Sequence, residues 1–108
     1  MARRFAHPVE EVLAAVFDEV GLAWEYEPHT FVLERDEAGM PTEAFTPDFY
    51  LPEQDVYVEC TTMRQRLTSR KNRKIRKLRE RGVIVTVLYR RDFERLRDRH
   101  GLAFELAA

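Results

Sequence analysis

Residues 45–60 read Phe45-Thr46-Pro47-Asp48-Phe49-Tyr50-Leu51-Pro52-Glu53-Gln54-Asp55-Val56-Tyr57-Val58-Glu59-Cys60. Two strand-like runs, Phe45–Leu51 and Val56–Cys60, flank a polar break that opens on a proline. In the second run Val56, Val58 and Cys60 alternate with Tyr57 and Glu59. Paired as a hairpin, the two runs bring Asp48 and Glu59 close together. Two neighbouring carboxylates repel each other unless a cation neutralises them. Hard oxygen ligands of this kind suit Mg²⁺ or Mn²⁺.

Downstream lies a basic helix from about Thr68 or Ser69 to Arg81, stopped by Gly82. Its apolar positions are few: Leu67, Ile75 and Leu78. Val83–Leu88 follows as a continuous, β-branched run, which predicts a buried strand. Strand, crossover helix and strand make a βαβ unit, expected to be parallel and right-handed. A last helix is expected over Asp92–Arg99, with Gly101 ending it and Leu102–Ala108 as a short final strand.

Upstream, Pro8–Val20 has Pro at a first helical position and Val9, Val12, Leu13, Val16 and Val20 at helical spacing, before Gly21. Glu10 falls at the edge of that apolar stripe, where it can add a third carboxylate. Leu22–Tyr26 alternates as a strand, and Phe31–Leu33 reads as a second. Arg35–Pro41 is a polar turn. The expected order is α-β-β-β-β-α-β-α, a mixed sheet with helices packed on it.

The chain has 108 residues, one domain's worth, with 44% hydrophobic and 34% charged residues. A core of this size gains from a partner subunit, which favours a homodimer. No apolar run approaches the roughly 20 residues of a membrane span. The N-terminus has no apolar core after its charges and is not expected to be a signal peptide. Cys60 is the single cysteine, in keeping with a reducing cytoplasm. Its alternation with Glu59 makes it a buried structural thiol rather than a nucleophile. His7, His29 and His100 are scattered, which argues against a histidine metal site.

The net charge of −1 conceals a segregation. Residues 1–63 hold three Lys/Arg against fourteen Asp/Glu; residues 64–91 hold twelve against one. So dense a basic block is either a footprint for a polyanion or a helix that pairs with the acidic half of its own fold.

The chain resembles the PD-(D/E)XK nuclease superfamily, in particular its small restriction-endonuclease-like and Vsr-like members. The resemblance rests on the element order from Pro8 to Tyr89, on Pro47-Asp48 with Phe49-Tyr50-Leu51-Pro52, on Glu59, and on Trp24-Glu25-Tyr26-Glu27-Pro28 upstream. It implies an α/β fold with an αβββαβ core. It also implies a Mg²⁺- or Mn²⁺-dependent hydrolase of phosphodiester bonds, with DNA favoured over RNA. Asp48 would be the Pro-Asp carboxylate, Glu59 the second acidic residue and Glu10 the helix-one acid, all three around the metal.

One position departs from the pattern. The superfamily's lysine would fall at Thr61, and a threonine cannot supply an ammonium. Some members move that lysine to the following helix. Lys71 stands at i−4 from Ile75 and i−7 from Leu78, on their inward stripe, and Lys74 lies at its flank. Gln65 is a polar candidate near the strand end. Arg64, Arg70, Arg73, Arg76, Lys77 and Arg79 would contact phosphates without reading sequence. Two further readings stand beside the nuclease: an inactive nuclease fold that binds nucleic acid, and an interaction protein that oligomerises through its opposed charges.

Overall fold

A computed structural model describes residues 5–61 and 65–101, without the side chains of residues 65–68, 97 and 100. The elements run α1 (Pro8–Val20), β1 (Glu25–Tyr26), β2 (Phe31–Arg35), β3 (Pro41–Phe45), β4 (Phe49–Leu51), β5 (Val56–Thr61), α2 (Gln65–Glu80), β6 (Val85–Tyr89) and α3 (Arg90–His100). This is a mixed α/β fold whose main sheet is flanked by helices. The strand order of that sheet is β1-β4-β5-β6. β4 pairs antiparallel with β1 and β5, while β6 runs parallel to β5, with Tyr57 opposite Val85. The long connection through α2 is what a parallel neighbour requires. Among the described residues no helix is long and apolar enough to cross a membrane.

Period-two alternation splits the core between the two faces of the sheet. Phe49, Leu51, Val58 and Cys60 point toward α1, whose Val9, Val12, Leu13, Ala14 and Phe17 pack there with Phe93 of α3. Tyr57 and Val85 point the other way, against Ile75 and Leu78 of α2 and Leu33 of β2. Phe49 and Phe93 are fully buried, and each large apolar side chain so enclosed stabilises the fold by about 1.5–3 kcal/mol. Asp48 and Glu59 share the parity of Tyr50 and Tyr57, so both carboxylates lie on the face that α2 covers.

Helix α1 matches its expected bounds and ends where Gly21 adopts φ 77°, its N–H bonded to Asp18. A left-handed residue at this position closes the open carbonyls of the last turn. Val20 was expected on the inner stripe but is exposed. It falls in the final turn, beyond the reach of the sheet.

Elsewhere the elements differ from the sequence expectation. Phe45–Leu51 is two strands, not one. Its first part belongs to β3, which pairs with β2 in a separate hairpin, and Asp36, expected in a turn, accepts the N–H groups of Ala38 and Met40 at 2.9 Å to close it. Pro47 lacks an N–H and cannot continue a ladder, so the chain turns there and re-enters as β4. β1 covers only the end of the expected Leu22–Tyr26 strand, and α2 begins at Gln65, three residues before the expected start. Among the described residues β6 is the edge of the sheet rather than a buried strand: Val85 is buried but Ile84 and Tyr89 are exposed. The proposed strand over residues 102–108 lies outside the described residues.

The hairpin sets Glu34 directly opposite Glu43, a like-charge pair that destabilises a ladder. Lys77 of α2 bridges the two at 2.5 and 2.6 Å, and Arg73 adds a 2.8 Å contact to Glu43. Part of the segregated charge is thereby neutralised within the chain.

Candidate active site

The chain's turn at Pro47 delivers Asp48 to the start of β4, beside Glu59 of β5. A reciprocal pair of bonds ties them. The backbone N–H of Asp48 donates to Glu59 Oε1 at 2.9 Å, and the N–H of Cys60 donates to Asp48 Oδ2 at 2.8 Å. Each carboxylate thus holds the other's strand in register. On the far side, Asp48 accepts the N–H of Glu27 at 2.8 Å through its carbonyl, which sets Glu27 next to it at the end of β1.

Lys71 reaches the same point from α2. Its Nζ lies 2.6 Å from Glu59 Oε2 and donates to the Cys60 carbonyl at 2.9 Å. Lys71 is 9% exposed and Glu59 3%. An ion pair this buried forms only where the geometry satisfies both partners. The ammonium has three donors, and these two contacts use two of them. Lys74 is turned elsewhere: its amine donates to the Ala44 carbonyl at 3.2 Å, on the hairpin. Of the two lysines expected near the site, Lys71 is the one beside the carboxylates.

Glu10 approaches from the opposite side, in the first turn of α1. It is almost wholly buried, and the Tyr26 hydroxyl donates to its Oε2. A carboxylate oxygen each from Glu10, Glu27 and Asp48 lies within 4.8 Å of the others. One cavity of about 250 Å³ is lined by these three together with Glu59, Lys71 and His7. Glu10, Asp48, Glu59 and Lys71, expected on separate elements, therefore meet in one place. Glu27 was missed. It follows an apparent strand as one of many exposed glutamates, and only the pairing of Tyr26 with Phe49 reveals where it goes. Its φ of 47° is unusual for a residue with a Cβ and marks a backbone held by its surroundings.

The electrostatics are those of an acidic cluster short of positive charge. Burial, with the adjacent Glu59 charge, pushes Asp48 up to about 7. Burial also raises Glu10 and Glu59, although Lys71 pulls Glu59 back toward ionisation. Burial drives the Cys60 thiol far above its ordinary range, as a structural cysteine requires. A group whose folded pKa exceeds its unfolded value contributes stability below the unfolded value and loses it as pH rises through the folded one. In metal-free buffer, Asp48 should therefore weaken the fold between about pH 4 and pH 7, by a few kcal/mol at about 1.4 kcal/mol per pH unit. Urea unfolding of wild type and Asp48→Asn across that range, with EDTA present, should show the stability difference moving in favour of the variant as pH rises. Parallel curves would mean Asp48 is not held in this way.

The expected phosphate-binding residues fall into two groups. Arg73 and Lys77 are engaged by Glu43 and Glu34, and Arg79 donates to the Val85 carbonyl at 2.6 Å. Arg70 and Arg76 are exposed and form no ion pair among the described residues. Arg64 lies outside the described residues, as does the side chain of Gln65.

Compared with protein-family models, with curated proteins and with solved structures, the chain finds no match.

Proposed function

We propose that the chain is a metal-dependent nuclease of the PD-(D/E)XK type that hydrolyses phosphodiester bonds in DNA. The observation that carries the reading is Lys71, whose amine stands 2.6 Å from Glu59 in a cavity shared with Asp48 and Glu10. It answers the one departure in the motif: the ammonium missing at Thr61 comes from α2 instead.

Mg²⁺ or Mn²⁺ suits the donors. They are all carboxylate oxygens, and burial has raised Glu10 and Asp48, as expected where negative charge lacks a counter-ion. Glu10, Glu27 and Asp48 would hold the ion, with Glu59 adjoining. When bound, it supplies Lewis-acid stabilisation of the phosphodiester and an acidified water. The chain's own groups do the positioning. Lys71 pulls Glu59 toward its charged form and has a third N–H for a phosphate oxygen. The reciprocal bonds between Asp48 and Glu59 fix the two acids before substrate arrives.

Among the described residues of α2, Arg70 and Arg76 are exposed cations without an ion pair, available to a DNA backbone. Replacing both with alanine should weaken DNA binding at all sequences and reduce the slope of log K against log salt by about 2. Fluorescence anisotropy between 50 and 200 mM salt measures this at about the range where such contacts dominate. An unchanged slope would remove α2 from the interface.

The direct test is DNA cleavage by the wild type that requires Mg²⁺ or Mn²⁺ and stops with EDTA. Binding without cleavage would favour an inactive nuclease fold. Neither binding nor cleavage, with salt-sensitive oligomers, would favour an interaction protein.

A further inference from the structure

Tyr26 occupies a position that the nuclease reading leaves unused. It lies in β1 opposite Phe49, and its ring is packed edge-on against Phe5 and Phe49 with centroids 4.8 and 5.4 Å away. Both contacts fix the ring plane. The hydroxyl accepts the backbone N–H of Ala6 at 3.0 Å and donates to Glu10 Oε2. Because an N–H already points at its oxygen, the hydroxyl's single proton is directed away from Ala6, toward the carboxylates. One rigid side chain is therefore bonded to Glu10, one of the three acids whose oxygens converge.

We propose that Tyr26 is a positioning residue for the cation site, holding Glu10 against Asp48 by a bond from a ring that cannot move. This rests on the metal-dependent reading of the cavity. Glu10 sits on α1, while Asp48 sits on the sheet, and no bond between Glu10 and the strands other than this one was found among the described residues. The buried carboxylate of Glu10 has rotamer freedom unless something beyond its backbone holds it. A partner of this kind typically contributes 10- to 100-fold to metal affinity when it orients a ligand.

The experiment is Mn²⁺ binding, followed by calorimetry and by electron paramagnetic resonance of free Mn²⁺, on the full chain. Wild type, Tyr26→Phe, Glu10→Gln and the double variant are compared. Tyr26→Phe keeps the ring and its packing and loses only the hydroxyl. It should bind Mn²⁺ about 10- to 100-fold more weakly. In the Glu10→Gln background the same substitution should have almost no further effect, since the residue it acts through is already neutral. Wild-type affinity in Tyr26→Phe would overturn the proposal. So would an equal loss in both backgrounds, which would mean a general effect on the fold. If wild type binds no Mn²⁺ at all, the metal-dependent reading fails and this inference fails with it; Mn²⁺ binding in wild type that is indifferent to Tyr26 sinks the inference alone.

Discussion

Lys71→Met is expected to destabilise the chain by about 3–5 kcal/mol at neutral pH and to remove cleavage activity. Methionine keeps the apolar stem of the lysine and deletes only the ammonium. Glu59 is left as a carboxylate 3% exposed, holding the Asp48 N–H but without its counter-ion. A domain has about 5–15 kcal/mol of stability in total, so the loss is a large share. Protonation relieves it. Burial already raises Glu59 and loss of Lys71 raises it further, so the penalty should shrink as pH falls toward 5. Urea unfolding at pH 7.5 and pH 5 measures both points. Should the single variant not fold, Lys71→Met with Glu59→Gln removes both charges together and should recover most of the stability, while staying inactive. Activity should fall by about 10²- to 10³-fold, the scale for losing a preorganised donor at the reacting centre. Wild-type stability and cleavage in Lys71→Met would show that the buried pair is neither structural nor functional.

Asp48→Asn separates chemistry from folding. The amide oxygen can still accept the Cys60 N–H, so the tie between β4 and β5 survives. The charge is gone, and with it the central member of the acid cluster. Cleavage should fall by about 10³-fold or more, which is about 4 kcal/mol of transition-state stabilisation. Metal-free stability at pH 7.5 should be equal to or greater than that of wild type, because burial of an ionised Asp48 is no longer a cost. A variant that cuts DNA normally would exclude Asp48 from the reaction. One that fails to fold would mean the carboxylate is structural.

Much of the site was legible in the residues themselves. The alternation Val56-Tyr57-Val58-Glu59-Cys60 puts Glu59 and Cys60 on opposite faces, whereas the break at Pro47 falls inside the run Phe45–Leu51 that reads as one strand. The i−4 spacing from Lys71 to Ile75 points the lysine inward, where its amine meets Glu59. Glu10 at the margin of α1's apolar stripe is buried for the same reason of spacing.

What was not legible depends on pairing across distance. β3 carries Pro41, the last residue of the expected polar turn, and Thr42 and Glu43, which show no strand pattern of their own. They become a strand because Phe31 and Phe45 pair across the hairpin and Lys77 cancels the two glutamates. Glu27 joins the site only because β1 lies beside β4. Lys71 and Lys74 are both near the inward stripe of α2, and a side chain of four methylenes can turn either way. The hairpin's Ala44 carbonyl takes Lys74, and nothing local to the helix encodes that. Val83–Leu88 is apolar enough for a central strand, yet no further strand in the described sheet lies beyond β6, so Ile84 remains exposed.

The most direct measurement is a Mg²⁺ and Mn²⁺ titration of wild type and Asp48→Asn, scored on cleavage of single-stranded, duplex and branched DNA in one assay. The account predicts cleavage of at least one substrate that rises with either metal in wild type and is lost in the variant. No cleavage of any substrate by wild type at any metal concentration, or equal cleavage by both proteins, would contradict it.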